Sequence, residues 1–257
     1  MKSKLFYITP LFSLFLLAAS ALQAEVMTIT SKNGKQMIVS LVSRQGEKVV
    51  IRRTSDNKEF AIDPSSLSKE SETLVLDKMK ALPVAIPPIE SEISIGKRRK
   101  KDGNSDYMKQ MEITSKITLT NKDYKIPCPD CTANIIFIGQ DQKNTKEFKV
   151  LSNQQFTIKP TPKGAVQNTA PFNTRYDSDN KGEGNIGGHK YVGYLLVITG
   201  PDNEIVYTKT IYSNLRKALE TDVSAAATIK TYPANTILGP DMKKPAPIKD
   251  NSGIQKL

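Results

Sequence analysis

The 257-residue chain has no tryptophan, one histidine, two cysteines and no apolar run of membrane-spanning length in its body. Each absence excludes something. Without tryptophan there is no indole platform for stacking sugars, and no β-sandwich core built around a buried strand tryptophan. A serine hydrolase of the usual kind needs a histidine base, and His189 has no G-x-S-x-G nucleophile turn to serve. Carboxylate pairs for glycoside hydrolysis are possible in any chain, but small β modules without tryptophan suit that chemistry poorly. Zinc takes four ligands, so a site at the two cysteines would have to recruit His189 and a carboxylate or water. Negative charge is also in short supply, with 37 Lys and Arg against 26 Asp and Glu, a formal net charge of +11.

Residues 1–24 read as a secretory signal peptide. Lys2 and Lys4 form a basic start, L-F-Y-I-T-P-L-F-S-L-F-L-L a short apolar centre, and A-A-S-A-L-Q-A a small-residue exit, the layout of an export leader. Cleavage after Ala21 or after Ala24 fits. The apolar centre is interrupted by Thr9 and Pro10 and falls short of the roughly 20 residues a span requires, so no stable membrane span is expected after cleavage. No cysteine follows the centre, which argues against a lipid anchor. The mature chain is therefore expected to be periplasmic or extracellular, in an oxidising compartment. Loss of Lys2 and Lys4 leaves a net charge of +9. A basic exported protein meets anionic polysaccharide, lipid head groups or envelope proteins, and nucleic acid is not an expected partner there.

Residues 25–82 carry four short alternating runs, 26–30, 36–43, 48–53 and 59–62, separated by K-N-G-K, R-Q-G-E and T-S-D-N-K. Alternation with Gly- or Asn-bearing turns predicts strands. Met37, Val39 and Leu41 share one face of the second run, suited to closing a small barrel. Ser68 is a helix N-cap, followed by Leu74, Val75 and Met79 on one side before Pro83 stops the helix. At about 55 residues this module sits near the lower limit for independent folding. The order S-K-N-G-K-Q-M-I-V-S-L-V-S-R-Q-G-E-K-V-V-I-R-R, then K-E-F-A-I-D-P-S-S-L-S-K-E-S, resembles the first homology domain of the yeast endocytic adaptor Sla-one, an SH3-like fold also found in exported bacterial proteins. The resemblance spans Thr28 to Leu76 and implies an SH3-like barrel with a C-terminal helix. In the eukaryotic family that domain binds short Asn-Pro-Phe peptides, and no peptide-binding position transfers to a residue here. Arg52, Arg53 and Lys58 form a basic edge, a solvated face or an anion contact.

Residues 83–106 combine Pro83, Pro87 and Pro88 with the block Lys97, Arg98, Arg99, Lys100, Lys101, and read as a semi-rigid linker that lets two domains keep separate orientations. Residues 107–215 carry strand patterns at 109–119, 133–138, 145–150 and 154–158, then a hairpin. Its arms are 191–199 and 205–212, joined by G-P-D-N-E. In the first arm Val192, Tyr194, Leu196 and Ile198 fall on one face with Leu195 and Val197 on the other, the pattern of a central strand buried on both sides. This is an immunoglobulin- or fibronectin-like β-sandwich pattern, and N-I-I-F-I-G with G-H-K-Y-V-G-Y-L-L-V-I-T-G-P-D-N-E-I-V-Y is similar to uncharacterised sandwich domains of exported bacterial proteins. A long polar stretch ends in the glycines 182, 184, 187 and 188. It lacks the strand-then-helix context of a phosphate loop and reads as a flexible loop with His189, Tyr191 and Tyr176 as its candidate contacts. Residues 216–257 read as a short helix and a disordered tail from about Thr231.

Cys128 and Cys131, in I-P-C-P-D-C-T, are expected to form a disulfide in an exported chain. Thiol redox catalysis and a zinc site with His189 are the alternatives. No catalytic residue, metal or cofactor is assigned. The expectation is a mainly β, non-catalytic exported binding or adaptor protein of the bacterial envelope, recognising a peptide, protein or anionic polymer. The rival readings are a redox or zinc protein and a purely structural envelope component.

Overall fold

The computed structural model describes residues 26–101, 108–177, 184 and 187–246; the segment 1–24 read as a signal peptide and the last part of the tail lie outside them. The fold is mainly β. Strands β1 (Val26–Thr30), β2 (Gln36–Gln45), β3 (Lys48–Arg53) and β4 (Glu59–Ile62) form an antiparallel meander in sequence order. Their turns place Gly34, Gly46 and Asn57 at φ of 75°, 60° and 55°, the conformation glycine and asparagine accept most readily. Met27, Ile29, Val39, Leu41, Val49 and Ile51 face one core. The sheet does not close into a barrel by pairing β1 with β4. Helix α1 (Lys69–Met79) covers the open side instead, burying Val75 completely. Ser68 caps it, accepting from the Ser71 N–H, and the Thr30 N–H donates to Ser71 Oγ at 2.9 Å, which ties the first helical turn to β1.

The larger unit has three layers. One sheet consists of β5 (Ile89–Lys101) paired with β6 (Met108–Asn121), with β9 (Ala165–Asn168) and β10 (Phe172–Asp177) along the other edge of β6. The second, in the order β12-β11-β7-β8-β13, comprises β12 (Ile205–Thr210), β11 (His189–Thr199), β7 (Cys131–Asp141), β8 (Phe148–Ile158) and β13 (Ile237–Leu238). Ile113, Ile117, Ile135, Phe137, Leu196 and Ile198 fill the space between the sheets. The other face of the five-stranded sheet carries Ile136, Ile138, Phe148, Val150, Leu195 and Val197. Helices α2 (Ser213–Thr221) and α3 (Ala225–Ile229), with Tyr232, Leu238 and Met242, cover that face.

Several expectations are corrected by this packing. The segment read as a linker holds a 13-residue strand, β5, because Ile89, Ser91, Ile93 and Ile95 alternate with polar residues and pair with β6 along their length. The basic block is the end of that strand: Arg98 and Lys100 both pair with Glu112, and Lys97 Nζ lies 4.9 Å from the Tyr191 ring centroid. The runs at 145–150 and 154–158 are one strand, β8, interrupted by a register shift opposite Phe137 and Ile138. Two further strands, β9 and β10, occupy the stretch read as a polar loop. In β11 a second shift between Tyr191 and Gly193 moves Val192 to the helix-covered face and Tyr191 into the inter-sheet core. Gly193 is required there, since a Cβ would lie 2.6 Å from that of Tyr212.

The two units do not have independent orientations. The connector runs from Leu82, packed on the first core, to Ile86, packed on the second. It is clamped by backbone bonds from the Arg44 N–H to Pro83 O and from the Ala85 N–H to Arg44 O. Asp202, in the β11–β12 turn, accepts from Arg44 Nη2 and from the Val84 N–H, each at 2.9 Å. Asn203 beside it takes φ of 63°, as the G-P-D-N-E turn requires.

The tail is the largest departure from expectation. Leu238 and Met242 are wholly buried, and in β8 Val150 O accepts from the Asn235 N–H while the Val150 N–H donates to Thr236 O. Truncation of a buried leucine typically costs about 2–5 kcal/mol. Leu238→Ala is therefore expected to lower the unfolding free energy by about that much in urea titration, whereas a loose tail would leave the midpoint unchanged.

Candidate functional site

Along the helix-covered face of the five-stranded sheet the side chains change character partway down every central strand. In β7 the series Ile138, Ile136 continues as Asn134, Thr132. In β11 Leu195, Val197 continues as Thr199, and in β8 Val150 gives way to Asn153, Gln155 and Thr157. Cross-strand pairing aligns the polar ends, with Asn134 opposite Gln155 and Val197, and Thr132 opposite Thr157 and Thr199. Apolar residues lie where the C-terminal layer covers the sheet, and polar ones begin where it stops. The result is a groove of about 610 Å³ between Thr132, Asn134, Asn153, Gln155 and Thr199 on the sheet and Lys230, Thr231, Pro233 and Ala234 on its rim.

Asn153 builds the rim. Its Nδ2 donates to Lys230 O and Tyr232 O, both at 2.9 Å, which holds the chain leaving α3 against β8. Lys230 Nζ reaches over the groove and donates to Thr199 Oγ1 at 3.1 Å. Among the described residues it has no carboxylate partner. The side-chain amides of Asn134 and Gln155 likewise have no protein hydrogen bond among those residues, so an ammonium and two amides are left to a ligand or to water. The volume falls within the range of roughly 300–1,000 Å³ typical of small-ligand sites.

The residues singled out from sequence are dispersed. Arg52 donates through Nε and Nη2 to Glu59 Oε1 at 3.1 and 2.7 Å. Arg53 binds Asp56 with both Nε and Nη2, and Lys58 Nζ lies 3.9 Å from the same carboxylate. The basic edge is thus largely neutralised within the first unit. Tyr176 and Tyr191 are only 6% and 7% exposed and serve as core residues rather than rim contacts; burial pushes the Tyr191 hydroxyl up from its ordinary value. His189 is half-buried at the start of β11 and paired in register with Asp141.

Cys128 and Cys131 are both buried free thiols in this structure, without the expected bridge. They share a side-chain hydrogen bond, which raises Cys128 strongly, together with burial, and lowers Cys131. Of the two sulfurs, Cys131 is the one that gives up its proton more readily. A joint zinc site with His189 is ruled out by topology. Cys131 begins β7 and His189 pairs with Asp141 at its far end, so at ~3.3 Å per residue the two lie about 33 Å apart.

At that far end Asp141, Glu147 and His189 bring one carboxylate oxygen each and an imidazole nitrogen within 4.8 Å of one another. Burial pushes His189 below its ordinary value, against the opposing charge of Asp141 and Glu147. Burial pushes Asp141 up, but N–H donors of Asn144, Lys143 and Gly188, with the nearby imidazole, outweigh it and hold the carboxyl low. His189 was visible in the sequence as the lone histidine. Asp141 and Glu147 had no signal of their own, because only the β7–β8 turn brings them to it.

No protein-family model and no curated protein matches the chain. Similarity to solved structures is slight. A crystal structure from Akkermansia muciniphila is 8% identical over 48% of this chain and 70% of that one, with a TM-score of 0.22. An X-ray structure from the Northeast Structural Genomics Consortium is 11% identical over 49% of this chain and 86% of that one, at 0.25. The β-D-glucoside glucohydrolase of Trichoderma reesei is 12% identical over 53% of this chain and 21% of that one, at 0.22. Scores this low support no transfer of fold or activity.

With exposures of 2% and 1%, Cys128 and Cys131 are expected to be shielded in the reduced folded protein. Ellman's reagent should modify them slowly under native conditions and both within the mixing time in denaturant. Rapid native labelling would contradict the packing.

Proposed function

We propose that the mature chain is an exported, non-catalytic binding protein of the bacterial envelope. Its outer-sheet groove takes a carboxylate-bearing saccharide, such as a segment of an anionic wall or capsular polymer. The observation that carries this reading is Lys230, an ammonium without an ion pair among the described residues, above a concave polar surface with uncommitted amides. Amides and hydroxyls match the donors and acceptors of a polyol, and the ammonium matches a carboxylate with a charge-assisted bond. Such recognition needs no stacking platform, consistent with the absence of tryptophan. The excess of basic residues favours encounter with a polyanion, and the leader at 1–24 supports export.

A second reading, a protein or peptide partner at the first unit, has its own support. Leu74 and Leu76 stand 44% and 43% exposed on α1, and Val26 and Ile38 are 59% and 54% exposed on the adjoining sheet. The likeness to the Sla-one homology domain agrees with peptide binding there. Redox or metal chemistry at the cysteines has less support, since both thiols are buried and, among the described residues, they belong to no cluster of three metal-binding side chains.

Calorimetry with polygalacturonate oligomers at low salt tests the first reading. The wild-type chain is expected to bind, and Lys230→Gln to weaken binding by about tenfold or more, since a hydrogen bond to a charged group contributes roughly 1.5–3 kcal/mol. Arg52→Gln in the first unit should have no effect. Equal affinity of wild type and Lys230→Gln, or no binding by either, would overturn it.

A further inference from the structure

The end of the large sheet remote from the groove holds a second constellation. His189 opens β11, Asp141 closes β7, and Glu147 stands immediately before β8, so three adjacent strands deliver one metal-binding side chain each. The backbone locks them together: His189 and Asp141 are cross-strand partners, and the Asp141 N–H donates to Glu147 O at 3.0 Å.

His189 Nε2 is wholly buried and has no hydrogen-bond partner among the described residues. Glu147 Oε1 is 3.5 Å away, beyond the usual 2.7–3.2 Å of a nitrogen-to-oxygen hydrogen bond. That separation is poor for a direct bond but matches two donors sharing one ion. With zinc bonds of about 2.0–2.1 Å, neighbouring ligand atoms of a tetrahedron lie about 3.4 Å apart. An orphaned buried nitrogen is costly, so the site as drawn calls for a partner between the two groups.

Asp141 is held as a ligand should be. Oδ1 accepts from the N–H groups of Lys143 and Asn144, each at 2.7 Å, and Oδ2 accepts from the Gly188 N–H at 3.1 Å. These bonds fix the carboxylate's orientation and leave Oδ2 with a lone pair. Gly187, at φ of 83°, brings bare backbone beside that oxygen, where a Cβ would stand 3.3 Å away.

We propose that Asp141, Glu147 and His189 form a binding site for a divalent first-row transition ion, Zn²⁺ foremost, with water completing the shell. One imidazole and two carboxylates are a borderline-to-hard donor set that suits zinc better than the soft thiophilic ions. The cysteine pair takes no part in it, and the site is independent of the saccharide groove.

Equilibrium dialysis of the full mature chain against ZnCl₂ tests this. One ion per chain is expected, with a rise in Tm on loading. His189→Asn and Glu147→Gln are each expected to weaken binding by about tenfold or more, and the double variant Cys128→Ser, Cys131→Ser to leave it unchanged. Cobalt-loaded wild type should show visible ligand-field bands without the near-ultraviolet absorption of a thiolate ligand. Circular dichroism of the metal-free variants guards against misfolding, and should the histidine variant misfold, Glu147→Gln and the cobalt spectrum decide. Absence of stoichiometric zinc, binding that survives both ligand variants, or binding lost with the cysteines would overturn the assignment.

Discussion

The antiparallel pairing of β7 with β11 imposes the architecture. Ile135, Phe137, Leu196 and Ile198 project to one side of these strands and Ile136, Leu195 and Val197 to the other, all fully buried. Each such side chain contributes roughly 1.5–3 kcal/mol only if water is removed from it. A sheet apolar on both faces therefore needs a layer on each side. The β5–β6 sheet with β9 and β10 supplies one, and the helices with the Tyr232–Met242 segment supply the other. The edge strand β12 also joins the sheets, through a 3.0 Å contact between Ser91 Oγ and the Tyr207 hydroxyl.

Both sites follow from where that covering ends. On the outer face the helical layer reaches Lys230 and turns away, and the strands beneath change from Ile and Val to Thr, Asn and Gln at that line. Beyond the opposite end of the core, Asp141 closes β7, His189 opens β11 and Glu147 leads into β8, side chains that need not be apolar. A rigid sheet thus presents two polar ends, about one strand length apart, on a scaffold that places them without large loops.

Much of this was legible from residues alone, where local and tertiary demands agree. The meander β1–β4, the Ser68-capped helix and the 191–212 hairpin combine alternation with turn residues, and all three are present. β5 was obscured because Pro83, Pro87 and Pro88 lead into it and Lys97–Lys101 end it, although Ile89, Ile93 and Ile95 keep a period of two. β9 and β10 are short and half polar, so their pairing with β6 leaves little trace in composition. The tail packs through Tyr232, Leu238 and Met242, single apolar residues with no period between prolines. The flip of Val192 depends on a bulge, which shifts the alternation without a residue signature. Neither site was visible as a unit: Lys230 meets Asn134 only through the packing of the C-terminal layer on the sheet, and Glu147 meets His189 only through strand pairing and the β7–β8 turn. The basic edge at Arg52, Arg53 and Lys58 looked open because Asp56 and Glu59 neutralise it through side-chain geometry.

The central claim, a doubly covered sheet whose outer layer includes the C-terminal segment, is tested most directly by native-state amide hydrogen exchange. Amides in the middle of β7 and β11 should exchange slowest, through global opening. The Val150 and Asn235 amides, bonded to Thr236 O and Val150 O at 2.9 and 2.7 Å, should be protected with them. Exchange of the 232–242 segment within seconds, or a β11 no better protected than the edge strand β4, would contradict the account.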